Sequence, residues 1–213
     1  MARPFRALDR LEVGCRMTVL GLDDGGILLH SPIRLDEADR DAVRALGPVR
    51  AIVAPNLWHH LFFGPAADAF PSAERWAAPG LPWRRRDLSF RGELGTANPV
   101  FAGVDWHVVG GSRLLGEVLF FHRASRTLVA TDLFFHVLRR DDALSRTYYT
   151  LSGTYGRFAS SRLIRAAVWD RAAARETARW ILDRDPIRVS VCHGEVFAVT
   201  PGSLESALRW LLV

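Results

Sequence analysis

The chain has 213 residues, of which 49% are hydrophobic and 24% charged, with a formal net charge of +5. That length and balance suit one globular domain, taken as 1–213, and exclude a coiled coil, a disordered tail or a low-complexity filament. No run of about 18 apolar residues occurs, so neither a membrane span nor a signal segment is expected, and the cytoplasm is the expected compartment. The two cysteines, Cys15 and Cys192, exclude a disulfide framework.

The basic excess is carried by arginine alone, since the chain contains no lysine, and only Arg84, Arg85 and Arg86 form a run. Scattered guanidiniums read as a solvated surface, so a nucleic-acid partner is a lesser expectation than a small-molecule substrate.

In chain order, Met17–Leu20 and Ile27–His30 are apolar runs around Asp23-Asp24-Gly25-Gly26, which predicts a β-hairpin. Asp36–Leu46 has apolar residues near helical spacing, acidic residues in its first turn and Gly47-Pro48 as a stop, predicting a helix. Val49–Ala54 reads as a buried strand ended by Pro55. Residues 71–99 show no usable period. Beyond them Trp106–Val109, Glu117–His122 and Thr127–Thr131 predict strands, and Ser160–Trp169 and Arg171–Leu182 predict helices with Trp169, Ala173, Ala174, Ala178, Trp180 and Ile181 facing inward. Ile187–Cys192 predicts a last strand, and Pro201-Gly202-Ser203 caps a closing helix to Leu212. Strands alternating with helices indicate an α/β layered fold.

Three apolar strands end in groups that bind metals or move protons: Val49–Ala54 runs into His59-His60, Thr127–Thr131 into Asp132, and Ile187–Cys192 into His193. Imidazole and carboxylate are common zinc ligands, and strand ends in α/β folds hold such groups on a rigid frame. Spacing alone leaves a structural capping role open for each. Strand alternation would point Cys192 into the core, away from the side of His193. His122 and His136 read as strand-end residues, Trp58, Phe62 and Phe63 as core or pocket wall, and Ser152-Gly153-Thr154-Tyr155-Gly156 as a turn that could border a pocket.

The hairpin ending in His30-Ser31-Pro32, the segment 54–60, the stretch from Gly116 to Asp132 and Val191-Cys192-His193-Gly194 occur in the order of a known family. Over roughly Val19 to Val196 the chain resembles the metallo-β-lactamase superfamily, and more closely its DUF4336 branch. The resemblance implies an αββα sandwich of two mixed sheets with outer helices and a metal site where the sheets meet at one edge. The family's first metal motif, His-x-His-x-Asp-His, falls on Pro55, Leu57, His59 and His60, and a further family histidine falls at or next to Arg113. The bridging aspartate is matched by Asp132 and the last histidine by His193, while His30 takes the place of an early aspartate. The resemblance thus implies at most one ion, zinc or iron, held by His59, His60, Asp132 and His193, with His59 and Asp132 also the candidate catalytic residues. Three functional readings follow: a metal-dependent hydrolase of unspecified substrate, a non-catalytic binding protein on the same scaffold, and a nucleic-acid binding or processing protein.

Overall fold

The computed structural model describes residues 1–7, 11–112 and 114–212. Two five-stranded sheets dominate it. The first contains β1 (Thr18–Gly21), β2 (Ile27–His30), β3 (Val49–Ala54), β4 (Glu74–Ala77) and β5 (Gly92–Glu93), side by side in chain order. β1 and β2 form the expected antiparallel hairpin, and β2 to β5 run parallel. The second contains β6 (Val104–Val108), β7 (Val118–His122), β8 (Thr127–Ala130), β9 (Arg188–Val191) and β10 (Phe197–Ala198). Among the described residues its one parallel pair is β8 with β9, joined by a helical crossover.

Side-chain alternation along the strands divides the core into three layers. Leu28, Val53, Phe120 and Val129 face one another between the sheets, and their neighbours Leu29, Ile52, Leu119 and Leu128 face outward. The outer face of the first sheet is covered by α1 (Glu37–Leu46) and α2 (Phe63–Ala69), through Val43, Phe63, Ala66 and Ala67. The short helix α3 (Leu81–Arg84) follows β4. The outer face of the second sheet is covered by α4 (Ala143–Ser152), α5 (Arg162–Ala166), α6 (Arg171–Asp183) and α7 (Ser203–Leu212). Helix, sheet, sheet, helix is the αββα sandwich that the resemblance implies.

Local chemistry accounts for most boundaries. Asp36 accepts from the Asp39 amide at 2.8 Å while the Asp39 carboxylate accepts from the Asp36 amide, a reciprocal capping box that starts α1. Asp142, Ser161 and Asp170 cap α4, α5 and α6 in the same sense. The helix predicted over Ser160–Trp169 is shorter than expected, and Trp169 is 56% exposed rather than inward. In α6 the inward stripe is Ala174, Thr177, Ala178 and Ile181, while Trp180 stacks on His107 with ring centroids 5.0 Å apart.

The N-terminal arm is ordered by pairing. Ala2–Arg3 pairs with Cys15–Arg16, and Arg6–Ala7 with Leu11–Glu12. Arg16 then donates to the carbonyls of Val191, at 3.2 Å, and Gly194, at 2.7 Å, tying the arm to the loop after β9.

Candidate metal centre

Four strand ends meet at one edge of the sandwich. After β3, the Asn56 side chain folds back so that its Oδ1 accepts from the amides of Trp58, at 2.9 Å, and His59, at 2.7 Å. This turn aims His59 inward. After β8, the buried Glu117 carboxylate accepts from three successive amides, Thr131 at 2.7 Å, Asp132 at 3.0 Å and Leu133 at 2.8 Å. Those bonds fix the backbone that carries Asp132. Asn56 joins the two ends, because its Nδ2 donates to Thr131 Oγ1 at 2.9 Å and to Asp132 Oδ2. After β9, Gly194 has φ +107°, and a Cβ there would lie 2.0 Å from the His136 carbonyl, so only glycine lets this loop close. After β2, Ser31 holds φ +56°, an uncommon value for a residue with a side chain.

Of the residues singled out from sequence, His59, Asp132 and His193 are brought together. His59 Nε2 lies 3.1 Å from Asp132 Oδ2, and His193 Nε2 lies 3.3 Å from Asp132 Oδ1. All three are nearly enclosed, with side chains 8–12% exposed. His60 is not part of the group. The chain is in a turn at this point, so neighbouring side chains diverge, and His60 Nδ1 accepts from Arg85 at 2.6 Å. A guanidinium donates only and is permanently charged, so it blocks a metal at that nitrogen. Of the four candidates singled out from sequence, three are therefore brought together.

Cys192 was expected to point away. It lies instead with its Sγ 3.2 Å from His59 Nδ1. β9 ends at Val191, so Cys192 and His193 sit in a bend where strand alternation no longer applies, and both reach the site. One ligand atom each of His59, Cys192 and His193 lies within 4.8 Å of the others. Ser31 Oγ is 3.1 Å from the same His59 nitrogen.

The proton positions follow from the partners. His193 Nδ1 lies 2.9 Å from the Gly14 carbonyl, which can only accept, so this nitrogen carries the proton. The Cys192 sulfur lies 3.3 Å from the Arg16 carbonyl and 3.2 Å from His59 Nδ1; burial works to raise its thiol, but His59 outweighs it and brings it down to about 7. Both rings thus direct Nε2 at the Asp132 carboxylate. Burial opposes charge on His59, but Cys192 and Asp132 outweigh it and hold the imidazole well above its usual range. His193 moves upward as well, with burial again opposed by Asp132 and Cys192. Burial works to raise Asp132, yet the two histidines hold it well below the usual carboxylate range. Burial, with Asp132 close by, pushes Glu117 up to about 7.

The remaining candidates among the described residues lie outside this cluster. His30 is buried edge-on to Phe120, and burial brings it down to about 3. His122 bonds Ser125 at 2.7 Å, and His136 Nδ1 lies 3.1 Å from the Glu195 carbonyl. Pro55 gives its carbonyl to the Val118 amide at 2.8 Å, and Leu57 is buried core, so neither offers a side-chain ligand. Arg113 lies outside the described residues. Within the arginine run, Arg85 is committed to Asp87 and His60, and Arg86 lies over the Trp83 ring at 5.3 Å.

The sequence model of the DUF4336 domain, a domain of unknown function, matches residues 5–154. The chain belongs to the DUF4336 family. No curated protein is similar to it in sequence. Among solved structures, the DUF4336 chain is similar to the metallo-β-lactamase from Erythrobacter litoralis, with a TM-score of 0.64, 14% identity, and 99% of this chain and 89% of that chain covered. The metallo-β-lactamase from Hirschia baltica gives a TM-score of 0.63 at 11% identity, covering 99% and 91% of the two chains. The one from Pontibacter korlensis gives 0.57 at 11% identity, covering 100% and 97%. These likenesses establish the metallo-β-lactamase fold. Among the described residues, no helix is long and apolar enough to cross a membrane.

Proposed function

We propose that the DUF4336 chain is a metal-dependent hydrolase that holds one zinc or ferrous ion through His59, Asp132 and His193. The observation that carries this reading is the direction of the two imidazoles. Each has its Nδ1 directed away from Asp132, so two Nε2 atoms converge on its carboxylate, at 3.1 and 3.3 Å. Without an ion the two Nε2 protons satisfy the carboxylate, and a metal would take the place of those protons. Zinc ligands at about 2.0–2.2 Å in a tetrahedron stand about 3.3–3.6 Å apart, close to these two separations, each to a different oxygen of Asp132. An imidazole whose other nitrogen donates to a backbone carbonyl is also the usual arrangement of a metal-binding histidine.

Three protein donors leave one tetrahedral position open, the pattern of catalytic rather than structural zinc sites. When bound, the ion supplies Lewis acidity toward a substrate oxygen and activates water. Cys192 and Ser31 orient the His59 ring from its far side, Glu117 and Asn56 hold Asp132, and Tyr148 lines the adjoining cavity. Burial, and after it Asp132, raises Tyr148, so its phenol stays protonated and can donate to an oxygen that gains charge. The positions of a second ion carry Pro55 and Leu57, which supports a single ion.

Metal dependence tests the reading. Chelated protein should lack hydrolysis of p-nitrophenyl acetate, and zinc should restore it. Tyr148→Phe should lower kcat by about 100-fold, the scale of one lost oxyanion donor, with zinc content unchanged. Hydrolysis that is indifferent to chelation would contradict the proposal.

A further inference from the structure

A cavity of about 310 Å³ opens onto His59, Asp132 and His193. Its walls are apolar, formed by Phe5, Phe62, Phe135 and Ile164 among others. Its lining continues outward through Trp58, Leu61 and Leu163, which stay 49%, 57% and 65% exposed although each is a large apolar side chain. The chain has 28 basic residues, yet no arginine is among the described residues that line this cavity, where Asp132 is the one carboxylate. A phosphate ester would bring anionic oxygens that call for guanidinium or ammonium partners. An uncharged apolar group needs none, and transferring it into such walls is favourable.

We infer that this cavity receives the compact, uncharged apolar part of a carboxylic ester whose carbonyl lies over the His59, Asp132 and His193 cluster. The inference rests on the hydrolase reading for the reacting group but not for the pocket. In the reaction the acyl carbon–oxygen bond of the ester breaks and a bond from the water oxygen to that carbon forms. One water proton ends on the departing alkoxide, and the other is released as the carboxylate forms. The volume is at the low end of small-molecule sites and holds about ten non-hydrogen atoms, if each takes the roughly 30 Å³ of a water molecule. A short chain or a single ring fits, and a long lipid does not.

The experiment separates pocket from metal. Metal-free full-length protein is titrated by calorimetry with alkan-2-ones from butan-2-one to decan-2-one. Affinity should rise about three- to fourfold per methylene, the equivalent of about 0.8 kcal/mol, and level off near the length that fills the cavity. Two analogues of octan-2-one with a charged tail, 7-oxooctanoate and 8-ammonio-octan-2-one, should bind at least tenfold more weakly. Leu163→Asp should weaken octan-2-one at least fivefold, whereas Leu46→Asp, on a helix outside this cavity, should leave it unchanged. A flat chain-length series, or a charged tail that binds as tightly as the neutral one, would overturn the assignment. In zinc-loaded protein, kcat/KM for p-nitrophenyl hexanoate should exceed that for the acetate at least tenfold, and turnover of p-nitrophenyl phosphate in preference to both would overturn the ester class. A normal ketone series in a chain that binds no zinc would sink the hydrolase reading and leave the pocket standing.

Discussion

His59 and Asp132 lie in loops that follow strands of different sheets, yet His59 Nε2 and Asp132 Oδ2 lie 3.1 Å apart. The contact makes the sheet edge a site, because it sets an imidazole against a carboxylate where little solvent reaches. Asn56 is the residue that enforces it. Its side chain holds the His59 turn with its oxygen and Thr131 and Asp132 with its nitrogen.

Replacing Asn56 by alanine should therefore act on both fold and site. It strands two backbone amides and removes a donor to Asp132, so a stability loss of about 2–4 kcal/mol is expected in urea titrations. Zinc affinity should fall roughly 10–100-fold, as for other groups that orient metal ligands. Asn56→Asp keeps the acceptor for the turn but sets a second carboxylate against Asp132, and should recover less than half of the stability.

In the proposed site Cys192 orients His59, although its Sγ also lies within 4.8 Å of ligand atoms of His59 and His193. Cys192→Ser should keep the metal stoichiometry and lower affinity about 10-fold. In cobalt-substituted protein the visible spectrum should lack a thiolate-to-metal charge-transfer band. Such a band would make Cys192 a ligand and require His59 to bind through its other nitrogen.

Acid should destabilise the metal-free fold through two histidines away from the centre. Burial holds His30 at about 3, and burial followed by Arg184 holds His107 at about 4, both below the unfolded value of about 6.5. Their folded-state pKa values are depressed, so the unfolded chain takes up protons first. Stability is fully present above about pH 6.5 and is lost as the pH falls toward 4 and then 3. His59 and His193 move the opposite way and contribute most below pH 6.5, so they do not cause this loss. Urea midpoints measured from pH 7 to pH 4 should decline steadily, and His107→Gln should flatten the curve by roughly 2 kcal/mol. A midpoint constant over that range would show that these rings are not held neutral.

Much of the frame was legible because local signals were strong. The Asp36 cap, the apolar run Val49–Ala54 and the turn at Gly25 each specify their element within a few residues. His59, Asp132 and His193 could be picked out because each follows an apolar strand. The misreadings share one cause, which is that the decisive contacts are distant in sequence. His60 is drawn off by Arg85, Cys192 leaves its strand one residue early, and Glu117 looks ordinary until three amides from the far side of a hairpin meet it. The carbonyl of Gly14 that orients His193 could belong to any residue type, so no side-chain pattern announces it. Within 71–99, β4 has four residues and β5 two, too few for a period to show.

The most direct test is the zinc content of purified protein and three variants, determined by elemental analysis after dialysis against zinc near pH 7.5. One ion per chain is expected in the parent and in His60→Ala, and less than a tenth of that in Asp132→Asn and His193→Ala, with all four proteins still folded by circular dichroism. Loss of the ion in His60→Ala, two ions in the parent, or none in any of them would contradict a single centre built from His59, Asp132 and His193.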